Sequence, residues 1–118
     1  MKKVMFMLLV AAGISSTVNA QAKTVTIKTP TVQCEECKHR IENYLAKEEG
    51  IMKAVVDYKR KITKVTYTSE RTNVENIKTA IANAGYDADD VTANTDSYNK
   101  LPKCCKKTED GGGTPKKN

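Results

Sequence analysis

Cys34-Glu35-Glu36-Cys37 is the stretch of the sequence best equipped for chemistry, two thiols three residues apart with two carboxylates between them. If a helix opens there, the spacing lets both sulfurs face one point. The positive end of the helix dipole then favours the thiolate, the form that binds metal or attacks a disulfide. Glu35 and Glu36 add negative charge, which disfavours thiolate in the empty site but favours a bound cation, a divalent ion at least as well as a monovalent one. Sulfur ligands select Cu(I), Zn(II) and heavier thiophilic ions over Mg or Ca. Two thiolates satisfy Cu(I) or Hg(II) in near-linear coordination, whereas Zn(II) wants two more ligands. The same spacing serves a thiol-disulfide redox couple, and four cysteines in an oxidising compartment suit a structural disulfide. No Trp precedes Cys34 as it would in a thioredoxin-type motif, but spacing alone leaves metal, redox and structural readings open.

A second pair, Cys104-Cys105, lies near the end of the chain. Adjacent cysteines rarely bridge each other, because the small ring is strained. They point elsewhere: to a third or fourth ligand for the same ion, to onward transfer of metal, or to a structural or mixed disulfide. The single His, His39, sits about 200° round a helix from Cys37 and is expected to face solvent. One His and no Trp exclude multi-His metal clusters, two-histidine catalysis and large aromatic pockets. The net charge of +6 does not indicate nucleic acid, since the surplus is not gathered on the folded part. Residues 23–93 hold twelve basic and eleven acidic side chains, while residues 94–118 hold six and three.

The elements that must position these thiols are legible in the hydrophobic pattern. With 118 residues the chain has material for one small domain. Lys2 and Lys3, an apolar run over 4–12 and Val18-Asn19-Ala20 read as a signal peptide over 1–20, cleaved after Ala20. Nine apolar residues are too few to span a bilayer, which takes about 20. Alternation over Thr24–Thr29 predicts a strand stopped by Pro30. Cys37, Ile41, Tyr44 and Leu45 form the stripe of an amphipathic helix ending near Gly50. Ile51–Val56 and Ile62–Thr68 predict a hairpin turned at Tyr58-Lys59-Arg60-Lys61. Thr72-Asn73-Val74-Glu75 has capping-box spacing, followed by an apolar face of Val74, Ile77, Ala80, Ile81 and Ala84 and a stop at Gly85. Residues 86–93 are expected as a fourth strand. The order βαββαβ predicts an α+β, ferredoxin-like sandwich, a four-stranded antiparallel sheet with two helices on one face. Beyond a domain over 23–93, the Lys-rich tail of 94–118 carries Tyr98, Leu101 and Pro102, able to pack back before a disordered Gly-rich end.

From Thr24 to Tyr86 the chain resembles the heavy-metal-associated domain, the module of copper chaperones, metal-ATPase amino-terminal repeats and periplasmic mercuric-ion carriers. The likeness rests on Cys34 and Cys37, the apolar Ile41 and Leu45, Gly50-Ile51, Val74-Glu75-Asn76-Ile77 and Ala84-Gly85-Tyr86. It implies a ferredoxin-like fold, a soft metal ion held by Cys34 and Cys37, and Tyr86 in the loop covering the site. Three features depart from the family pattern: Thr31-Val32 in place of Gly-Met, Glu35-Glu36 between the cysteines, and the Cys104-Cys105 pair. Val32, Glu35 and Glu36 are thus the residues expected around the ligands. The sequence as a whole is read as an exported, periplasmic or secreted, monomeric metal-binding protein. It is expected to sequester Cu(I), Hg(II), Zn(II) or a similar ion, or to hand it to a transporter or efflux partner, with no enzymatic step. A thiol-disulfide module using the same pair is the alternative.

Overall fold

Alternating β-branched residues cover one side of three strands with apolar groups, and two apolar helical stripes complete the enclosure. The structure, a computed structural model, describes residues 21–112. The leader expected over 1–20 and the extreme end of the tail lie outside the described residues. Strands β1 (Ala22–Lys28), β2 (Ile51–Asp57) and β3 (Ile62–Thr68) form an antiparallel sheet in the order β1-β3-β2. Its inward side chains Ile27, Val56, Val65 and Tyr67 meet Ile41 and Leu45 of helix α1 (Glu35–Ala46) and Ile77 and Ile81 of helix α2 (Val74–Asn83). The opposite face is polar, with Thr24 and Thr66 hydroxyls 3.2 Å apart. Inside, Thr29 and Thr63 are fully buried and satisfy each other at 3.0 Å, which removes the penalty for enclosing two hydroxyls. No helix among the described residues is long and apolar enough to cross a membrane.

The local signals mostly act as expected, with shifts that have physical causes. Gly50 carries φ +86° at the turn from α1 into β2, a conformation costly for any residue with a Cβ. The cap of α2 is Asn73 rather than Thr72: the Asn73 Oδ1 accepts from the Asn76 N–H at 2.8 Å. Asn is at least as good an N-cap as Thr and starts the helix one residue later, so the capping box does not form. The hairpin turn is held by the Asp57 carboxylate, which accepts from the N–H groups of Lys59 and Arg60 at 3.1 and 3.0 Å. Tyr44, expected on the buried stripe, lies at its edge and is 36% exposed.

Among the described residues the fourth strand is absent, so the sheet there has three strands and not four. Residues 86–93 instead fold into a tight turn closed by a single bridge between Ala88 and Val91. Asp87, Asp89 and Asp90 are strand-averse and turn-favouring. Asp89 takes a positive φ of 52°, and the Asp87 Oδ1 accepts from the Ala93 N–H at 2.8 Å. One residue of β1 is partnered where a strand would have lain: the Asp89 N–H reaches the Lys28 carbonyl at 2.8 Å, and the Lys28 N–H reaches the Asp89 carboxylate at 2.7 Å. A full strand would have carried the chain away from Cys34; the turn keeps it near. A third helix, α3 (Thr95–Asn99), and two short 3-10 turns, Lys103–Cys105 and Thr108–Asp110, follow. Leu101 anchors this segment, buried against Gly85.

Candidate metal centre

Cys34 is the N-cap of α1, with extended backbone (φ −151°, ψ 176°) and no capping hydrogen bond from its side chain. Its sulfur is therefore free to turn toward Cys37 one helical turn on, 3.3 Å away. The Lys103–Cys105 turn packs against α1 and supplies two more sulfurs. Cys104 Sγ lies 3.5 Å from Cys34 Sγ, Cys105 Sγ lies 2.7 Å from Cys37 Sγ, and the two tail sulfurs stand 4.0 Å apart. The four sulfurs close a ring. Those of Cys34, Cys104 and Cys105 all fall within 4.8 Å of one another. All four are free thiols. Cys37 and Cys105 are fully buried, whereas Cys34 and Cys104 are partly exposed, so the ring has an inner and an outer edge.

The contact between Cys37 and Cys105 polarises the site. The Cys105 thiol, donating to Cys37, is the main reason that Cys37 falls from 9.0 to about 5. Burial opposes this, and backbone groups at the helix start assist it. The proton is retained on Cys105, which is pushed up first by its bond to Cys37 and then by burial. Cys34 is pushed up to about 11, chiefly by burial. At neutral pH one inner thiolate thus faces thiols that lose their protons when a cation arrives.

The surrounding residues hold the loop and the tail together. Val32 is buried beneath the loop, and its carbonyl accepts from the Lys61 ammonium at 2.7 Å. The Thr31 hydroxyl accepts from the Asp87 N–H at 3.1 Å, and the Gln33 amide donates to the Lys106 carbonyl. Glu35 and Glu36 are exposed, with Glu36 drawn 3.4 Å from Arg40 along the helix. Their charge reaches the sulfurs only across solvent. His39 is exposed. Tyr86 follows Gly85 and is wholly buried, its hydroxyl without a well-formed hydrogen bond. Burial first, and then the neighbouring Cys105 and Cys37 sulfurs, push its pKa up, so it stays protonated.

The model of the heavy-metal-associated domain matches residues 28–87. The chain belongs to that family. A mercuric transport protein periplasmic component from Shewanella putrefaciens is 40% identical over 67 residues, covering 57% of this chain and 74% of the relative. Among solved structures, oxidized MerP from Ralstonia metallidurans CH34 superposes with a TM-score of 0.55 at 29% identity, covering 58% of this chain and 94% of that one. A CopZ metallochaperone gives 0.54 at 26%, covering 56% and 98%. In this heavy-metal-associated domain the ferredoxin-like frame is kept while its fourth strand is replaced by a turn. Sequence reasoning missed Lys61, Gln33 and Thr31 as supports of the loop. Lys61 belongs to the expected turn, and the residue types carry no signature of its positive φ of 61° or of its reach to the Val32 carbonyl.

Proposed function

We propose that this protein is an exported carrier of a soft metal ion, which Cys34 and Cys37 capture in the cell envelope and surrender to a transporter or efflux partner. The observation that carries the reading is the pair of sulfurs 3.3 Å apart at the start of α1, one buried and acidified, the other reachable from solvent. Such a site works by ligand exchange: a thiolate from the partner joins the ion at Cys34 before one of the protein's own sulfurs leaves, so no bond other than metal–sulfur is made or broken. The mercuric name of the relatives supports Hg(II) as cargo, and the copper-chaperone fold neighbours support Cu(I) as the competitor. The periplasmic name of those relatives and the leader-like segment over 1–20 support export. The carrier acts as a monomer and catalyses no reaction.

Metal content of anaerobically purified protein tests this. One equivalent of Hg(II) or Cu(I) is retained through gel filtration by the native chain and lost in Cys34→Ser. A second reading uses the same pair: a thiol-disulfide module in which the reachable Cys34, as thiolate, attacks a substrate disulfide and releases one substrate thiol, and the acidified Cys37 then attacks the mixed disulfide, releasing the second and leaving Cys34 and Cys37 bridged. Turnover of a disulfide substrate by metal-free protein, with no stoichiometric metal retention, would establish that reading instead.

A further inference from the structure

We infer that Cys104 and Cys105 convert the two-sulfur pair into a four-thiolate site for a divalent thiophilic ion of tetrahedral preference, the class of Zn(II) and Cd(II). The inference rests on Cys34 and Cys37 being metal ligands. At a metal–sulfur length near 2.3 Å, sulfurs at the corners of a tetrahedron stand ~3.8 Å apart, whereas two sulfurs on opposite sides of a linear ion stand ~4.6 Å apart. The ring separations of 3.3, 3.5 and 4.0 Å lie nearer the first arrangement, and Cys34, Cys104 and Cys105 all fall within 4.8 Å of one another; Cys37 stands outside that group of three and has to close on Cys104 to complete a tetrahedron. The remaining side, 2.7 Å between Cys37 and Cys105, is shorter than either arrangement and has to open by about 1 Å to admit an ion.

The tail does not drift into this position. Leu101 is seated against Gly85, the Gln33 amide holds the Lys106 carbonyl, and the Tyr98 hydroxyl accepts from the Lys107 N–H at 2.8 Å while donating to Asp110. Cys105 is entirely buried by these contacts. Tyr86, wholly enclosed, closes the inner side of the ring, its hydroxyl neighbouring the Cys105 and Cys37 sulfurs. Loading releases one proton for each thiol that was protonated and leaves a net charge of −2 on the four-sulfur centre.

The test loads the full chain anaerobically with Cd(II) and counts its sulfur neighbours by X-ray absorption. Four are expected in the native protein, three in Cys104→Ser and two in Cys104→Ser/Cys105→Ser. By competition titration the double variant should lose about a hundredfold or more in Cd(II) affinity, whereas Hg(II), satisfied by two sulfurs, should change less than tenfold. Cys104→Ser, altering only a partly exposed side chain, keeps the count decisive if the double variant misfolds. Two sulfurs in the native protein, or equal Cd(II) affinity in native and Cys104→Ser proteins, would overturn the inference while leaving the Cys34–Cys37 carrier standing. Undiminished Cd(II) binding by Cys34→Ser/Cys37→Ser would remove that carrier reading, and this inference with it.

Discussion

Replacing Cys105 with alanine should return Cys37 toward an ordinary thiol without touching the CxxC pair. The S–H of Cys105 contacts the Cys37 sulfur at 2.7 Å and is the largest of the influences that bring Cys37 from 9.0 to about 5. Serine would keep a donor there; alanine removes it. A thiol with pKa near 5 is ~99% ionised at pH 7, and one near 9 is ~1% ionised. Hydrogen bonding to the charged form favours it, so removing the largest of these influences should move the Cys37 midpoint upward and lower the thiolate fraction at pH 7. Thiolate absorbance near 240 nm, followed against pH in reduced, metal-free protein, reads this directly. The native chain should show one step near pH 5, Cys105→Ala should show that step displaced upward, and Cys104→Ala should leave it in place, because Cys104 is not among the influences on Cys37. A step still near pH 5 in Cys105→Ala would refute the reasoning and assign the acidity of Cys37 to the helix start.

The reduced, metal-free protein should gain thermal stability as pH rises from about 5 toward 9, because over that window the unfolded chain binds the Cys37 proton that the folded chain has already released. Above 9 the slope should reverse, since Cys34, raised to about 11, keeps its proton only when folded; melting curves at several pH values decide both signs. Gly85→Ala places a Cβ at φ +108° and 3.1 Å from Leu101, so it should cost about 1–3 kcal/mol in chemical denaturation. Leu101→Ala should unseat the tail and raise the alkylation rate of buried Cys105 at least tenfold, read by mass spectrometry, while the circular dichroism of the domain is retained.

Most of the frame could be read from residue types because its signals are local. The helical stripe of Cys37, Ile41 and Leu45, the hairpin turn at Tyr58-Lys59-Arg60-Lys61 and the glycine stops each depend on a few neighbouring residues and survive folding, although the Asp57 carboxylate that holds the turn emerges only in the structure. The fourth strand failed because Tyr86–Ala93 was assigned by its place in a pattern, against its own composition. Three aspartates in four residues favour a turn, and without a covering strand the last residues of β1 find one partner in Asp89. The meeting of Cys104 with Cys34 crosses seventy positions and is set by the burial of Leu101 and by a single amide, Gln33. Chain length admits such a return; only the packing of Leu101 on Gly85 selects it.

The missing strand and the sulfur ring are two consequences of one feature. A strand of eight residues along β1 would run ~26 Å away from the loop that carries Cys34, and the tail would spend most of its length coming back. By turning at Asp89-Asp90 the chain reaches Ala93 beside α2, where the Asn94 N–H bonds the Ala82 carbonyl at 2.9 Å, and the few residues of α3 then bring Cys104 to the ring. In the proposed carrier the outer edge, Cys34 and Cys104, is where an entering thiolate would meet the ion first, and the inner edge, Cys37 and Cys105, is where solvent is excluded. On that reading retention and release fall to different sulfurs, and a partner that displaces the tail would lower the coordination number and so weaken the site's hold on its ion.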